Sequence, residues 1–253
     1  MNRNRAVVVV RSGLVVAAIL VVEALCRLGV IGRLTLIPPT EMVLGLARLL
    51  ASGKINGDIA YTATTVATAL VLSIAIGFGL GLLIYRLPRV RRAIDPLLAS
   101  YYAVPFFVFY PLFVAIFGLN AIPLIVMGTA FAIPAMIIST MAGLDQIPRV
   151  LLKTARVHQL GGWETVTRIV LPSAAPHLFT GVKLAVAYVF IGIIAGEFIM
   201  ASTGVGHAIA YAYDGFDNKT MYALMLLVLL VVIGLNLGLH AWETRLMQRR
   251  VRA

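Results

Sequence analysis

Six stretches of this 253-residue chain are long and apolar enough to cross a bilayer, and nothing else in it constrains the fold as tightly. They are Ser12–Ile31, Ile59–Tyr85, Pro96–Gly118, Ala121–Leu144, Gly181–Ala201 and Thr220–Trp242. About 20 predominantly apolar residues in helical form cover the hydrocarbon core. The expected fold is therefore all-α: a polytopic membrane bundle of six transmembrane helices, forming one transmembrane domain over residues 1–253. Composition agrees, with 61% hydrophobic and 12% charged residues, where soluble domains hold about 45–50% and about 25%.

The charged residues set the orientation. Placing the N-terminus in the cytoplasm puts 16 of the 21 Lys and Arg on that side, from Arg3 through the Arg86–Arg92 and Arg149–Lys183 groups to Arg252. The positive-inside rule then places both termini in the cytoplasm. The net charge of +11 is accounted for by topology, and no basic patch interleaved with aromatics points to nucleic acid. The basic start and first apolar run lack a small-residue cleavage site, so Ser12–Ile31 is read as a retained helix. Glu23 and Arg27 interrupt that run at i, i+4 spacing, where an ion pair can form. Between the first two spans, Pro38 and Pro39 break the chain and Thr40 is placed to cap a short outer helix with Val43, Leu44, Ala47 and Leu50 along one face.

Within the membrane, Gly77 and Gly81, Gly192 and Gly196, and Gly234 and Gly238 lie four apart, the spacing that lets helix backbones approach closely. Pro105 and Pro111 fall in the third span, and Pro123 and Pro134 in the fourth. Internal prolines free backbone carbonyls, which are tolerated where protein or a water-filled cavity covers them. The segment around Pro105, Phe106 and Pro111 is accordingly a candidate translocation path. Glu197 is the carboxylate set deepest in an apolar run; three roles are open to it, namely a gate or path residue, a structural hydrogen-bonding group, or a snorkelling one.

Several chemistries are excluded. No GxxxxGK[ST] loop is present, so this chain lacks the usual ATP cradle. The histidines at 158, 177, 207 and 240 are scattered, with no nucleophile-base or paired-carboxylate arrangement, so no catalytic residue, metal site or cofactor site is expected. Cys26 is the single cysteine, which leaves no disulfide framework.

The longest polar interruption is KTARVHQLGGWETVTRIVLPSAAP, Lys153 to Pro176, on the cytoplasmic side. A helix over about Gln146–Gln159 places Val150, Leu151, Thr154, Val157 and His158 near one face. Gly161 and Gly162 are expected to break it. A second short helix from Trp163 to Leu171 is expected to end at Pro172, whose predecessor is pushed out of helical conformation.

These residues carry a family resemblance. The chain resembles the membrane-spanning subunit of a bacterial binding-protein-dependent ABC importer of type I, and is most similar to the branch handling nitrate, sulfonates and taurine. That family's cytoplasmic loop reads Glu-Ala-Ala, three residues, Gly, and later Leu-Pro with a second proline four residues on. Here Leu171, Pro172 and Pro176 match the ending, Trp163 falls on a position often aromatic, and Ala155 takes the last alanine of the triplet. IPPTEMVLGLARLLASGKI, the stretch from Ile74 to Leu119, and FTGVKLAVAYVFIGIIAGEFIMASTGVGHAI extend the likeness over nearly the whole chain. Three positions depart: Lys153 stands for the glutamate, Thr154 for the central alanine and Gln159 for the turn glycine, so the turn is expected to move to Gly161 and Gly162.

The resemblance implies a permease subunit in the bacterial inner membrane, working by alternating access. Two copies, or this chain with a close homologue, would form the path for a small solute such as a sulfonate, nitrate, taurine or a vitamin precursor. A pair of ATPase subunits would bind ATP and grip a coupling loop at about residues 145–180, and a periplasmic or lipid-anchored binding protein would deliver the solute. The coupling residues it implies are Lys153, Thr154, Ala155, Arg156, Gln159, Gly161, Gly162, Trp163, Leu171, Pro172 and Pro176. Lys153 and Arg156 would face an acidic groove on the ATPase. Two alternatives remain open at this level: a secondary transporter, and a permease-like scaffold that does not transport.

Overall fold

The computed structural model describes residues 3–33, 35–104 and 106–251. The described residues are helical in the following order. Helix α1 (Arg3–Arg27) leads through a turn to α2 (Pro39–Ser52), and α3 (Asn56–Arg86) is followed by α4 (Pro88–Ser100). Two short 3₁₀ turns, Tyr101–Ala103 and Phe106–Phe109, precede α5 (Tyr110–Phe117) and the long α6 (Ala121–Asp145). Then come α7 (Arg149–Val157), α8 (Gly162–Thr165), a π-helical turn at Val166–Val170, α9 (Leu171–Met200), α10 (Val205–Asp214) and α11 (Asn218–Val251).

Four helices among the described residues are long and apolar enough to cross a membrane: Asn56–Arg86, Ala121–Asp145, Gly162–Met200 and Asn218–Leu246. At 1.5 Å per residue, α3 alone extends about 46 Å. The run Pro96–Gly118, expected as one span, is broken into α4, the two 3₁₀ turns and α5. Pro111 accounts for one boundary: it lacks the N–H that would continue an earlier helix and lies in the first turn of α5, where none is needed, whereas Pro96 is accommodated inside α4. Helix α1 carries the predicted i, i+4 pair, with Arg27 Nε donating to Glu23 Oε1 at 2.5 Å.

The core is a sandwich of α3, α6 and α9. Helix α6 lies in the middle, and among its buried residues are Leu124, Met127, Ala132 and Met136. Two of the predicted small-residue pairs make this approach possible. A Cβ on Gly77 would fall 2.6 Å from Met136 Cβ, and one on Gly81 2.7 Å from Thr140 Cβ. Gly192 and Gly196 face α6 in the same way, against Gly128 and against Leu124 and Met127. Gly234 and Gly238 of α11 meet open space instead. Helix α11 is fastened to α9 by the Lys183–Glu243 ion pair and by Phe179, which meets Trp242 edge-on at 5.4 Å.

Helix α2 packs against α11 through Gly45, where a Cβ would lie 3.4 Å from Ala223 Cβ, with Leu46 beside it buried. The face predicted from Val43, Leu44, Ala47 and Leu50 is the exposed one. Thr40 also differs from expectation, since it sits inside the first turn of α2 rather than capping it. Its N–H and hydroxyl both donate to Glu23, at 3.1 and 2.7 Å, so the carboxylate of α1 closes the start of α2.

Candidate functional site

Two ends of the bundle hold the residues of interest. At one end α6 stops at Asp145, Pro148 adopts extended backbone, and α7 begins. Ala155 is the buried residue of α7, at 2% exposure, while Lys153, Thr154, Arg156 and Gln159 are exposed. Val150 (69%), Val157 (80%) and, after the turn, Trp163 (78%) leave large apolar side chains uncovered. An amphipathic helix stands here with its apolar face unpacked.

The turn after α7 overturns one expectation. It has not moved to Gly161 and Gly162: Gln159 itself is left-handed, with φ +52°. The Gln159 N–H donates to Arg156 O at 3.1 Å and the Leu160 N–H to Ala155 O at 3.0 Å, the paired bonds of a Schellman cap. Two otherwise orphaned carbonyls are thereby satisfied, and that offsets the strain of a side chain in a conformation suited to glycine. Gly161 is extended and precedes α8, and Gly162 is its first residue.

A second expectation also fails. Pro172 does not end a short helix, because residues Gly162–Met200 form one continuous rod. The π-helical turn at Val166–Val170 widens the backbone just before Leu171 and Pro172, so the ring and its missing N–H are accommodated instead of breaking the helix. Pro176 lies inside α9, and Leu171 is partly exposed. The loop is therefore continuous with a membrane-length helix.

At the opposite end, Glu197 is fully buried. Thr62 of α3 donates its hydroxyl to the Glu197 carboxylate, at 2.8 Å to Oε1 and 2.9 Å to Oε2, and the Gly206 N–H donates to Oε2 at 2.9 Å. The Val205 N–H donates to Thr62 Oγ1 at 2.8 Å, and the Gly204 N–H to Asp58 Oδ1 at 2.9 Å. Three consecutive N–H groups at the start of α10 are thus satisfied by side chains of α3 and α9, where negative charge also suits the helix N-terminus. The fit admits only glycine at its edge: Gly204 has φ +112°, and a Cβ on it would lie 2.4 Å from Glu197 Cδ. Of the roles open to Glu197, the hydrogen-bonding one has its partners in place. Helix α10 ends in another Schellman cap, with Phe216 at φ +53° and Asp217 N–H on Ala212 O at 2.8 Å. The Thr220 hydroxyl and N–H hold the Asp217 carboxyl below its usual range.

The predicted path residues are not drawn to Glu197 as a group. Pro105 lies outside the described residues. Phe106 sits in an aromatic row with Tyr101 (5.6 Å), Phe109 (5.4 Å) and Phe131 (6.5 Å), and Phe131 continues it edge-on to Tyr188 of α9 at 5.2 Å. Pro111 is exposed. A groove of about 670 Å³ beside α9, α10 and α11 is lined by apolar groups including Phe107, Phe190, Phe198 and Met225, which suit hydrocarbon better than a polar solute. Sequence reasoning missed Asp58, Thr62, Gly204 and Gly206. The TGVG run at the start of α10 is the one local hint, since glycines at an N-cap and in the first turn mark a tightly approached helix N-terminus.

Residues 73–252 match the family model described as "Binding-protein-dependent transport system inner membrane component". Over 214 residues the chain is 25% identical to one assigned as the aliphatic sulfonates transport permease protein SsuC of Bacillus subtilis (strain 168), covering 84% of this chain and 78% of that one. It is 24% identical over 216 residues to the taurine transport system permease protein TauC of Escherichia coli (strain K12), covering 83% and 78%. Among solved structures it is similar to an inward-facing form of the MetNI methionine ABC transporter, with a TM-score of 0.62 at 19% identity over 76% of this chain and 95% of that one.

Proposed function

This chain belongs to the binding-protein-dependent transport inner-membrane family, whose members work with an ATPase and a substrate-binding protein, and from that premise we propose how it does so. It is the permease subunit of an ABC importer for a small solute, of the kind its sulfonate, nitrate and taurine relatives are named for. It is a multi-pass membrane protein and not an enzyme. The observation that carries the proposal is the unpacked apolar face of α7 and Trp163, held on a loop continuous with α9.

In this reading both termini and the loop lie in the cytoplasm, and two ATPase subunits bind a pair of permease copies. The ATPase covers Val150, Val157 and Trp163, and an acidic rim faces Lys153 and Arg156. ATP-driven closure pushes α7; the rod from Gly162 to Met200 carries the push through the bilayer, since a helix without a break transmits displacement along its length. The Glu197 cluster makes α10 follow α3 and α9, so the outer end moves with the inner one. The solute crosses between copies, with Pro105, Phe106 and Pro111 as path residues and the aromatic row at Phe106 beside it. The apolar lining of the groove beside α9 supports a path formed between subunits rather than within one.

Proteoliposomes holding this chain, the ATPase from the same transport system and its binding protein test the proposal. Uptake of taurine, an alkanesulfonate or nitrate that requires ATP on the ATPase side is expected. Uptake driven by an ion gradient without ATP would establish a secondary transporter, and ATPase binding without uptake of any solute the binding protein holds would establish a scaffold.

A further inference from the structure

A third cluster, used neither by the loop's docking face nor by the Glu197 network, lies where the loop leaves α6. Arg91 of α4 donates Nη1 to Asp145 Oδ1 at 2.9 Å and Nη2 to Oδ2 at 2.6 Å, a two-pronged pairing that fixes orientation as well as distance. Its guanidinium also lies 5.8 Å from the centre of the Tyr85 ring at the end of α3, and the Tyr85 hydroxyl donates to Leu144 O at 3.4 Å. Beneath them Ile84, Leu98, Ile137 and Met141 pack the ends of α3, α4 and α6 together. Asp145 is the last residue of α6, and only Gln146, Ile147 and Pro148 separate it from α7.

The position matters because α7 has few other holds on the bundle. Ala155 is its buried residue, and its packing is against the π-helical turn that leads to α9. A displacement of α7 therefore has two exits: back through the π-helical turn into α9, and forward through Asp145 into α4 and α3. The Gln146 and Ile147 N–H groups are held by the Ala142 and Leu144 carbonyls, at 3.2 and 3.3 Å, so the three-residue link is tied to the end of α6, and the Arg91 pairing is what joins that end to α4.

We propose that Arg91 and Asp145 are positioning residues of the transport cycle, a tie that delivers movement of the ATPase-gripped loop to the junction of α3 and α4. The proposal rests on the permease reading above. The pair is partly exposed, at 30% and 43% for the two side chains, so removing it leaves the packed core beneath intact. The tie acts on transmission and not on docking: hydrolysis and transport come apart when it is cut.

The test uses the full complex in proteoliposomes, with ATP hydrolysis and solute uptake measured on the same preparation for wild type, Arg91→Ala, Asp145→Ala and the exchange Arg91→Asp with Asp145→Arg. Each single variant is expected to keep the ATPase subunit through purification and to melt as wild type does, while solute moved per ATP falls about tenfold. The exchange is expected to recover most of that ratio, since it restores the pairing. An unchanged ratio in the single variants, or an exchange no better than they are, overturns the proposal, as does loss of the ATPase from a single variant, which would make the pair part of the dock. Wild type that hydrolyses no ATP in response to its binding protein removes the permease reading and this proposal with it.

Discussion

The two ends of the bundle solve the same problem, a short helix outside the long ones, in opposite ways. At the Glu197 end, α2 and α10 lack a side-chain cap of their own and borrow a carboxylate from a longer helix, Glu23 from α1 and Glu197 from α9. Each of these two carboxylates joins one element to another. At the α7 end the backbone is finished locally by the cap at Gln159, but the apolar side chains are left uncovered. The first end is stapled to itself; the second has a capped turn and uncovered apolar side chains, the feature on which the proposed docking rests.

Four substitutions break or sharpen that contrast. The largest effect belongs to the stapled end. Glu197→Ala strands the Gly206 N–H and the Thr62 hydroxyl in a buried site, at about 1–3 kcal/mol for each unsatisfied group, and Gly204→Ala drives a Cβ into Glu197. Both are expected to lower the melting temperature of the detergent-solubilised chain sharply; a melting curve unmoved by either would show that the cluster joins nothing. Lys153→Glu comes next and leaves melting alone. It is expected to weaken ATPase retention several-fold, more at low salt than at high, because exposed charges are screened. Retention and uptake identical to wild type would remove the acidic groove from the account. The smallest effect, and the one gain, is Gln159→Gly, expected to stabilise by about 0.5–1 kcal/mol because glycine adopts the left-handed turn without strain. A loss of stability would mean the Gln159 side chain makes a contact that outweighs its strain.

The sequence carried the local features well. Apolar runs located the long helices, glycine spacing marked α3 and α9, though not α11, as closely approached, and the Glu23–Arg27 pair followed from i, i+4 geometry. It failed where two distant segments meet or where backbone relaxes. Thr62 reaches Glu197 across 135 positions and Arg91 reaches Asp145 across 54, and no local pattern marks either partner. Pro172 reads as a helix stop by its chemistry alone; a π-helical turn upstream reverses that reading. Gln159 reads as a lost turn because its side chain disfavours φ above zero, whereas the two cap hydrogen bonds hold it there. The same limit hid the role of α2, whose exposed and packed faces are both apolar.

The central claim is that the uncovered face of α7 and Trp163 is where the ATPase grips. Co-expression of the tagged chain with the ATPase of its transport system, followed by purification and quantification of ATPase bound per permease, tests it directly in wild type and in Val157→Asp with Trp163→Asp. The account predicts near-stoichiometric ATPase on wild type and at least about a tenfold loss on the variant, with the melting temperature of the permease unchanged because both side chains are exposed. Equal ATPase on both proteins would contradict it.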